Sequence, residues 1–175
     1  MRALGTFRLL CAHRRGPHGV TWWTDRIEGW LTEDLKDFAT DTRWYPGRPL
    51  LVTRTDYALR LYNGDAGVVI STAEGEVTAA FDRATDIARI RPGRLESVDT
   101  VYAMTIHKSQ GSQFDTAAVL LPPSTSPILT RELLYTAATR ARKRLLVVGS
   151  EASLRTAIAR PIARASGLER RLWGA

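Results

Sequence analysis

Four short apolar runs place the strongest constraint on this chain: Thr6 to Ala12, Thr100 to Ile106, Ala117 to Leu121 and Leu145 to Val148. Each has the length of a buried strand and is bounded by turn-forming residues. Helical patterns alternate with them. Thr24 or Asp25 opens a helix in which Ile27, Trp30, Leu31 and Leu35 recur at helical spacing. Thr130 is placed to cap a second helix running to about Arg142. A third runs from about Glu151 to Ala159. Strand-helix alternation at both ends of a chain calls for an α/β fold with a parallel sheet.

The middle of the chain has a different texture. Short β-rich runs occupy Pro49 to Thr53, Gly67 to Ser71, Val77 to Phe81 and Ile87 to Ile90. Asn63-Gly64-Asp65, Glu74-Gly75 and Pro92-Gly93 separate them as turns. Closely spaced strands of this kind predict a small antiparallel barrel over residues 43–98. It is an insertion, because α/β texture resumes after it, leaving 1–42 and 99–175 as one domain. Its aromatic residues Trp44, Tyr57 and Tyr62 either fill that small core or offer faces on which bases stack.

The 175 residues, 44% of them hydrophobic, suffice for one ordinary core and a small module. No apolar run approaches the ~20 residues that a bilayer requires, and the N-terminus has no signal-peptide h-region. A cytoplasmic protein without membrane contact is expected. The single cysteine, Cys11, excludes an internal disulfide and a cysteine-based zinc site; its apolar neighbours predict a buried strand thiol. No metal site is expected from the chain's own residues. The formal net charge of +7 favours a polyanionic partner, nucleic acid first, or else a basic part of a larger assembly. Near the C-terminus Arg155, Arg160, Arg164, Arg170 and Arg171 face only Glu151 and Glu169. That pattern reads as a solvated helix or a subunit contact.

Two segments carry chemistry. In Met104-Thr105-Ile106-His107-Lys108-Ser109-Gln110-Gly111-Ser112-Gln113-Phe114-Asp115 a buried strand ends and hydroxyl, imidazole, ammonium and amide groups follow at once. Ligands of open α/β sheets sit beyond the carboxyl ends of the strands, and Gly111 lets backbone approach a phosphate. In Leu133-Leu134-Tyr135-Thr136-Ala137-Ala138-Thr139-Arg140-Ala141-Arg142, Leu133, Ala137 and Ala141 form one helical stripe. Thr136, Thr139 and Arg140 then share another side. A permanently charged planar guanidinium suits a phosphate whose charge shifts during transfer.

Together, Thr-Ile-His-Lys-Ser-Gln-Gly and Tyr-Thr-Ala-Ala-Thr-Arg-Ala-Arg closely resemble motifs V and VI of superfamily 1 helicases. Phe7 to Gly19 resembles the segment around motif IV. Arg43 to Pro49 and Leu61 to Gly67 resemble the SH3-like insertion of RecD-type enzymes. The resemblance implies a RecA-like parallel-sheet domain, the second motor domain of a 5′ to 3′ DNA helicase acting in double-strand break repair and recombination. It implies that Arg140 reaches the γ-phosphate of ATP, with Gln110, Gly111 and Gln113 beside the nucleotide. It places Thr105 and His107 near single-stranded DNA, with Lys108 serving either DNA or nucleotide and Arg14 or Arg15 near either ligand. Single- and double-stranded DNA, RecB and RecC are the partners implied. A non-catalytic binding or assembly remnant, or another superfamily 1 motor such as a relaxase-linked or viral RNA enzyme, are the competing readings. Two departures stand out. The family usually has Glu where Gln113 stands, and Gln keeps one acceptor oxygen without the charge. The family often has Leu-Asn where Trp23-Thr24 stands.

No G-x-x-x-x-G-K-[ST] occurs, and none of Lys36, Lys108 and Lys143 follows a glycine. The phosphate cradle and the magnesium-holding groups are therefore missing from this sequence. In the family they lie on the first motor domain, so ATP with magnesium is expected to bind jointly with that domain. Met1 stands just before the motif IV strand, which reads as a truncated chain or a split gene. Alone, the chain is expected neither to hydrolyse ATP nor to unwind DNA.

Overall fold

The computed structural model describes residues 2–83 and 86–162. Its first sheet contains β1 (Phe7–Cys11), β7 (Ala103–Thr105), β8 (Phe114–Leu120) and β9 (Ala141–Val148). They lie side by side in the order β7-β1-β8-β9, and every pair is parallel. Alternation along β1 explains how both faces are used. Leu10 joins Met104, Ala117 and Val119 on one face, where the helices α2 (Arg131–Ala138) and α3 (Glu151–Ala159) contribute Leu133, Ala137 and Ala157. Leu9 and Cys11 turn to the other face, with Ala103 and Leu120, where α1 (Val20–Asp34) lays down Val20 and Trp23.

A second sheet is antiparallel throughout. It contains β2 (Pro49–Val52), β3 (Ala66–Ser71), β4 (Val77–Asp82), β5 (Ile87–Ile90) and β6 (Val98–Thr100). The order is β5-β4-β3-β2-β6, so β5 and β6 stand at its two ends. Leu50, Val52, Val69, Ala79, Phe81, Ile90 and Val98 give it a core of its own. Leu51 points the other way and joins the core of the parallel sheet. One residue of β2 thus fastens the second sheet to the first.

Several expectations are corrected. The run from Thr100 to Ile106 is not one strand. It divides between β6 and β7, which belong to different sheets, and Val101 N–H turns back to Pro49 O. The boundary drawn at 98/99 consequently falls inside β6. Helix α1 begins at Val20, not at Thr24 or Asp25. Its first free N–H groups need no capping side chain, because Val20 N–H and Thr21 N–H donate to His13 O and Arg14 O. Gly19 makes that close turn possible, since a Cβ there would meet the Arg15 backbone at 2.5 Å. Ile27 and Leu31 are half-buried, whereas Trp30 and Leu35 are exposed.

Helix α2 is capped as expected, Thr130 Oγ1 accepting from Leu133 N–H at 3.3 Å. It ends at Ala138, however, and not near Arg142. Phe114 N–H donates to Arg140 O, and from Ala141 the chain pairs with β8 as a strand. The run Leu145 to Val148 is a strand as expected but is not buried. As part of the sheet's edge strand its side chains are 39–52% exposed.

Candidate nucleotide and nucleic-acid interface

The loop after β7 is a compact turn held by its own hydrogen bonds. Ile106 is buried and extends the sheet, its N–H donating to Cys11 O. Thr105 Oγ1 accepts from Lys108 N–H at 3.1 Å. Ser109 is fully buried and its hydroxyl donates to Ile106 O at 2.7 Å. Ser109 N–H donates back to Thr105 O and Ile106 O, and Ser112 N–H to Ser109 O. Gly111 takes φ +84°, a conformation that L side chains rarely adopt. The turn leaves His107, Lys108, Gln110 and Gln113 exposed. Ser109 had not been singled out from the sequence. In the sequence its hydroxyl is one more donor of a polar run.

Arg140 locks this turn to α2. Its Nη1 donates to Ser112 O at 3.0 Å and more weakly to Ser109 O at 3.4 Å. Its Nε donates to Thr136 O and its Nη2 to Thr139 Oγ1, both at 3.0 Å. The shared side expected for Thr136, Thr139 and Arg140 is therefore real, although Thr139 caps the helix and Arg140 lies beyond it. All these partners are neutral oxygens. Among the described residues no carboxylate bonds the half-buried guanidinium, which suits it to an incoming anion.

The remaining candidates fall into three places. His107 and Gln110 line a pocket of about 280 Å³ with Glu132, Thr136 and Ile162. Gly111 and Gln113 face a cavity of about 650 Å³ between the two sheets, together with Arg8, Arg83 and Arg142. Arg14, Thr105 and Lys108 line a groove of about 150 Å³ with Leu51, Asp99 and Thr100. So Gln110 is separated from Gln113, and His107 from Lys108, while Arg14, Thr105 and Lys108 come together. Arg15 is exposed in the loop before α1.

Two residues of these cavities were missed by sequence reasoning. Asp99 forms an ion pair with Lys108, Oδ2 to Nζ 2.9 Å. Arg8 is buried within β1, where burial lowers its guanidinium to about 10. It donates to Val101 O and Leu4 O and stands over the Phe114 ring. No local pattern marks either role: Asp99 stands nine positions from Lys108, on a strand of the other sheet, and Val101 stands 93 positions from Arg8.

The inserted aromatics divide. Trp44 packs against the second core beneath Arg43 and Arg48, whereas Tyr57 is 82% and Tyr62 56% exposed. Arg155 pairs with Glu151, and Arg160 donates to Ser126 O. Arg164, Glu169, Arg170 and Arg171 lie outside the described residues. Cys11 is buried, and burial pushes its thiol up to about 12. Among the described residues no cluster of three or more His, Cys, Asp or Glu can hold a metal ion. No helix among them is long and apolar enough to cross a membrane.

The chain matches the UvrD-like helicase C-terminal domain family over residues 100–148. It is 54% identical over 172 residues to the RecBCD enzyme subunit RecD of Mycobacterium tuberculosis, covering 98% of this chain and 30% of that protein. It is 34% identical over 159 residues to the ATP-dependent RecD2 DNA helicase of Deinococcus radiodurans, covering 89% of this chain and 22% of that protein. Among solved structures it is similar to a Pif1 helicase studied for DNA unwinding at forked double-stranded DNA. The TM-score there is 0.57 at 17% identity, over 95% of this chain and 44% of that one. That likeness concerns the fold alone. The chain spans about 30% of the length of the curated RecD subunit it matches.

Proposed function

The chain belongs with the RecD-type helicases, as a counterpart of their C-terminal part, and from that premise we propose that it is the second motor half of an ATP-dependent 5′ to 3′ DNA helicase. In this reading the parallel sheet with its helices is the RecA-like motor domain, and the stretch from β2 to β6 is an SH3-like barrel inserted in it. Double-strand break repair and recombination is the setting, and RecB and RecC are the candidate partners, because the M. tuberculosis relative is a RecBCD subunit.

One observation carries the proposal. Arg140 is braced on the Ser109 and Ser112 carbonyls and, among the described residues, bonded to no carboxylate. A guanidinium fixed in position and still charged stabilises the negative charge that develops on a transferring phosphoryl group. Gly111 and Gln113, and on the other side of the turn Gln110, form the neighbouring wall for the nucleotide. Arg14, Thr105 and Lys108 face the backbone of a single strand, and His107 stands close by on the same turn. The magnesium ligands and the phosphate lysine come from the other motor half, because the 175 residues hold no G-x-x-x-x-G-K-[ST].

ATP turnover tests this directly. The 175-residue chain alone is expected to show none. Adding the separately expressed first motor domain of a RecD-type relative is expected to yield DNA-stimulated turnover. Arg140→Ala then lowers it by a factor on the order of 10³, the lower range for removing such an arginine. Turnover by the chain alone that survives Arg140→Ala overturns the reading. Tight association of the halves without turnover favours a non-catalytic docking module instead.

A further inference from the structure

The Lys108–Asp99 pair has no place in the function just described. Lys108 lies on the turn after β7, at the mouth of the groove with Arg14 and Thr105. Asp99 lies on β6, in the other sheet. Its position there is not accidental to the fold. Along β6 side chains alternate, so Val98 turns into the core of the second sheet and Asp99 turns away from it. The cross-strand neighbour of Asp99 is Leu51, the one β2 residue that enters the parallel sheet's core. Paired residues on adjacent strands share a face. The packing of Leu51 therefore aims Asp99 at the first sheet, and Lys108 meets it at 2.9 Å.

Stability does not account for the pair. Both side chains are well exposed, 36% for Lys108 and 48% for Asp99, and exposed ion pairs contribute little. What the carboxylate does change is the groove's charge. Arg14 and Lys108 would present two cations to a nucleic-acid backbone, and Asp99 cancels one of them. A carboxylate oxygen on an ammonium occupies the position that a phosphate oxygen would take.

We propose that Asp99 is an internal stand-in for a nucleic-acid phosphate, neutralising Lys108 in the free protein and displaced from it when a single strand enters. It sets the affinity and salt dependence of the groove, and it makes the second sheet responsive to occupancy. The proposal rests on the reading that this groove takes single-stranded DNA. A lysine released from a carboxylate trades a protein partner for a phosphate, so it adds little to the salt dependence of binding. A lysine with no carboxylate beside it adds its full share, about 0.7 in the slope of log K against log salt for a single strand.

The experiment measures binding of the full chain to a fluorescein-labelled oligothymidylate by anisotropy, across a salt series. It compares the native chain, Asp99→Asn, Lys108→Ala, the double variant and Arg14→Ala, each checked by circular dichroism for an unchanged fold. Asp99→Asn is expected to bind about three- to fivefold tighter at low salt, the scale of one exposed ion pair. Its salt slope steepens by about 0.7. In the Lys108→Ala background the same change has almost no effect on either quantity. An unchanged or weaker affinity for Asp99→Asn overturns the proposal. So does a gain that persists undiminished without Lys108, because Asp99 would then act only by long-range repulsion. Arg14→Ala separates the two levels of argument. If it weakens binding while Asp99→Asn does nothing, the groove binds DNA and only the stand-in role fails. If none of the variants differs from the native chain, or none of the proteins binds, the DNA reading of the groove falls and the stand-in role with it.

Discussion

Replacing Arg140 by alanine removes three hydrogen bonds of 3.0 Å together, to Thr136 O, Thr139 Oγ1 and Ser112 O, and a weaker one to Ser109 O. The side chain is half-buried, so water recovers part of the loss. With roughly 0.5–1.5 kcal/mol for each of the three good bonds, and the lower half of that range favoured by partial exposure, the cost is about 1.5–3 kcal/mol. For a chain of this size each kcal/mol lowers Tm by roughly 2–4 °C, so a fall of about 3–12 °C is expected. The damage should be local in kind. Ser112 O and Ser109 O lose their tie to α2, so amide exchange should quicken in residues 107–113 more than in β1 or β8. Arg140→Lys keeps the charge but not the planar fork, and should recover only part of both effects. Urea denaturation followed by circular dichroism gives the free energy, and hydrogen exchange gives the location. A Tm within 1 °C of the native chain, or exchange that quickens evenly, would refute the bracing role given to this residue.

Three further outcomes follow from the same contacts. Gly19→Ala places a Cβ 2.5 Å from the Arg15 backbone, so the basic loop must shift; a loss of about 1–3 kcal/mol in urea is expected, and native stability would sink the argument. Thr130→Ala removes the cap of α2 and should cost about 1 kcal/mol, with Thr130→Ser restoring most of it. Burial raises the Cys11 thiol from 9.0 to about 12, so the folded state favours the protonated form. The unfolded thiol ionises first, and the stability it contributes is present below pH 9 and lost as pH rises from there towards 12. The denaturation midpoint of Cys11→Ala should therefore fall less steeply over that interval than that of the native chain. The native thiol should also stay unreactive to Ellman's reagent at pH 8 until urea unfolds it.

Much of the site was legible because its residues are contiguous. The donor-rich run from Thr105 to Gln113 and the Thr136, Thr139, Arg140 set could be picked out by spacing, and the structure brings Arg140 onto that run. What spacing could not tell was the partition of the run. A tight turn sends successive side chains in different directions, so His107 and Gln110 line one pocket and Gly111 and Gln113 another. Asp99 and Ser109 escaped notice for a related reason. An aspartate in a strand and a serine in a polar loop carry no local mark of a distant partner or of full burial.

By itself the sequence determined most of the elements, β6 excepted. Apolar runs and turn formers placed β1, β5, β8 and α3 to within a few residues, and the cap at Thr130 marked the start of α2. It also set the change from α/β to antiparallel texture. Those properties are local, depending on side chains a few positions apart. Only the tertiary structure decided which sheet each half of the Thr100 to Ile106 run joins, because pairing depends on strands far away in the chain. The same holds for the conversion of residues 141 and 142 from helix to strand, where the ladder with β8 outweighed a helical pattern. It holds also for the exposure of β9, since an apolar strand at a sheet's edge reads like one at its centre. The pair that links Lys108 to Asp99 belongs here too, because Leu51 had to be buried in the first sheet before Asp99 could face the groove.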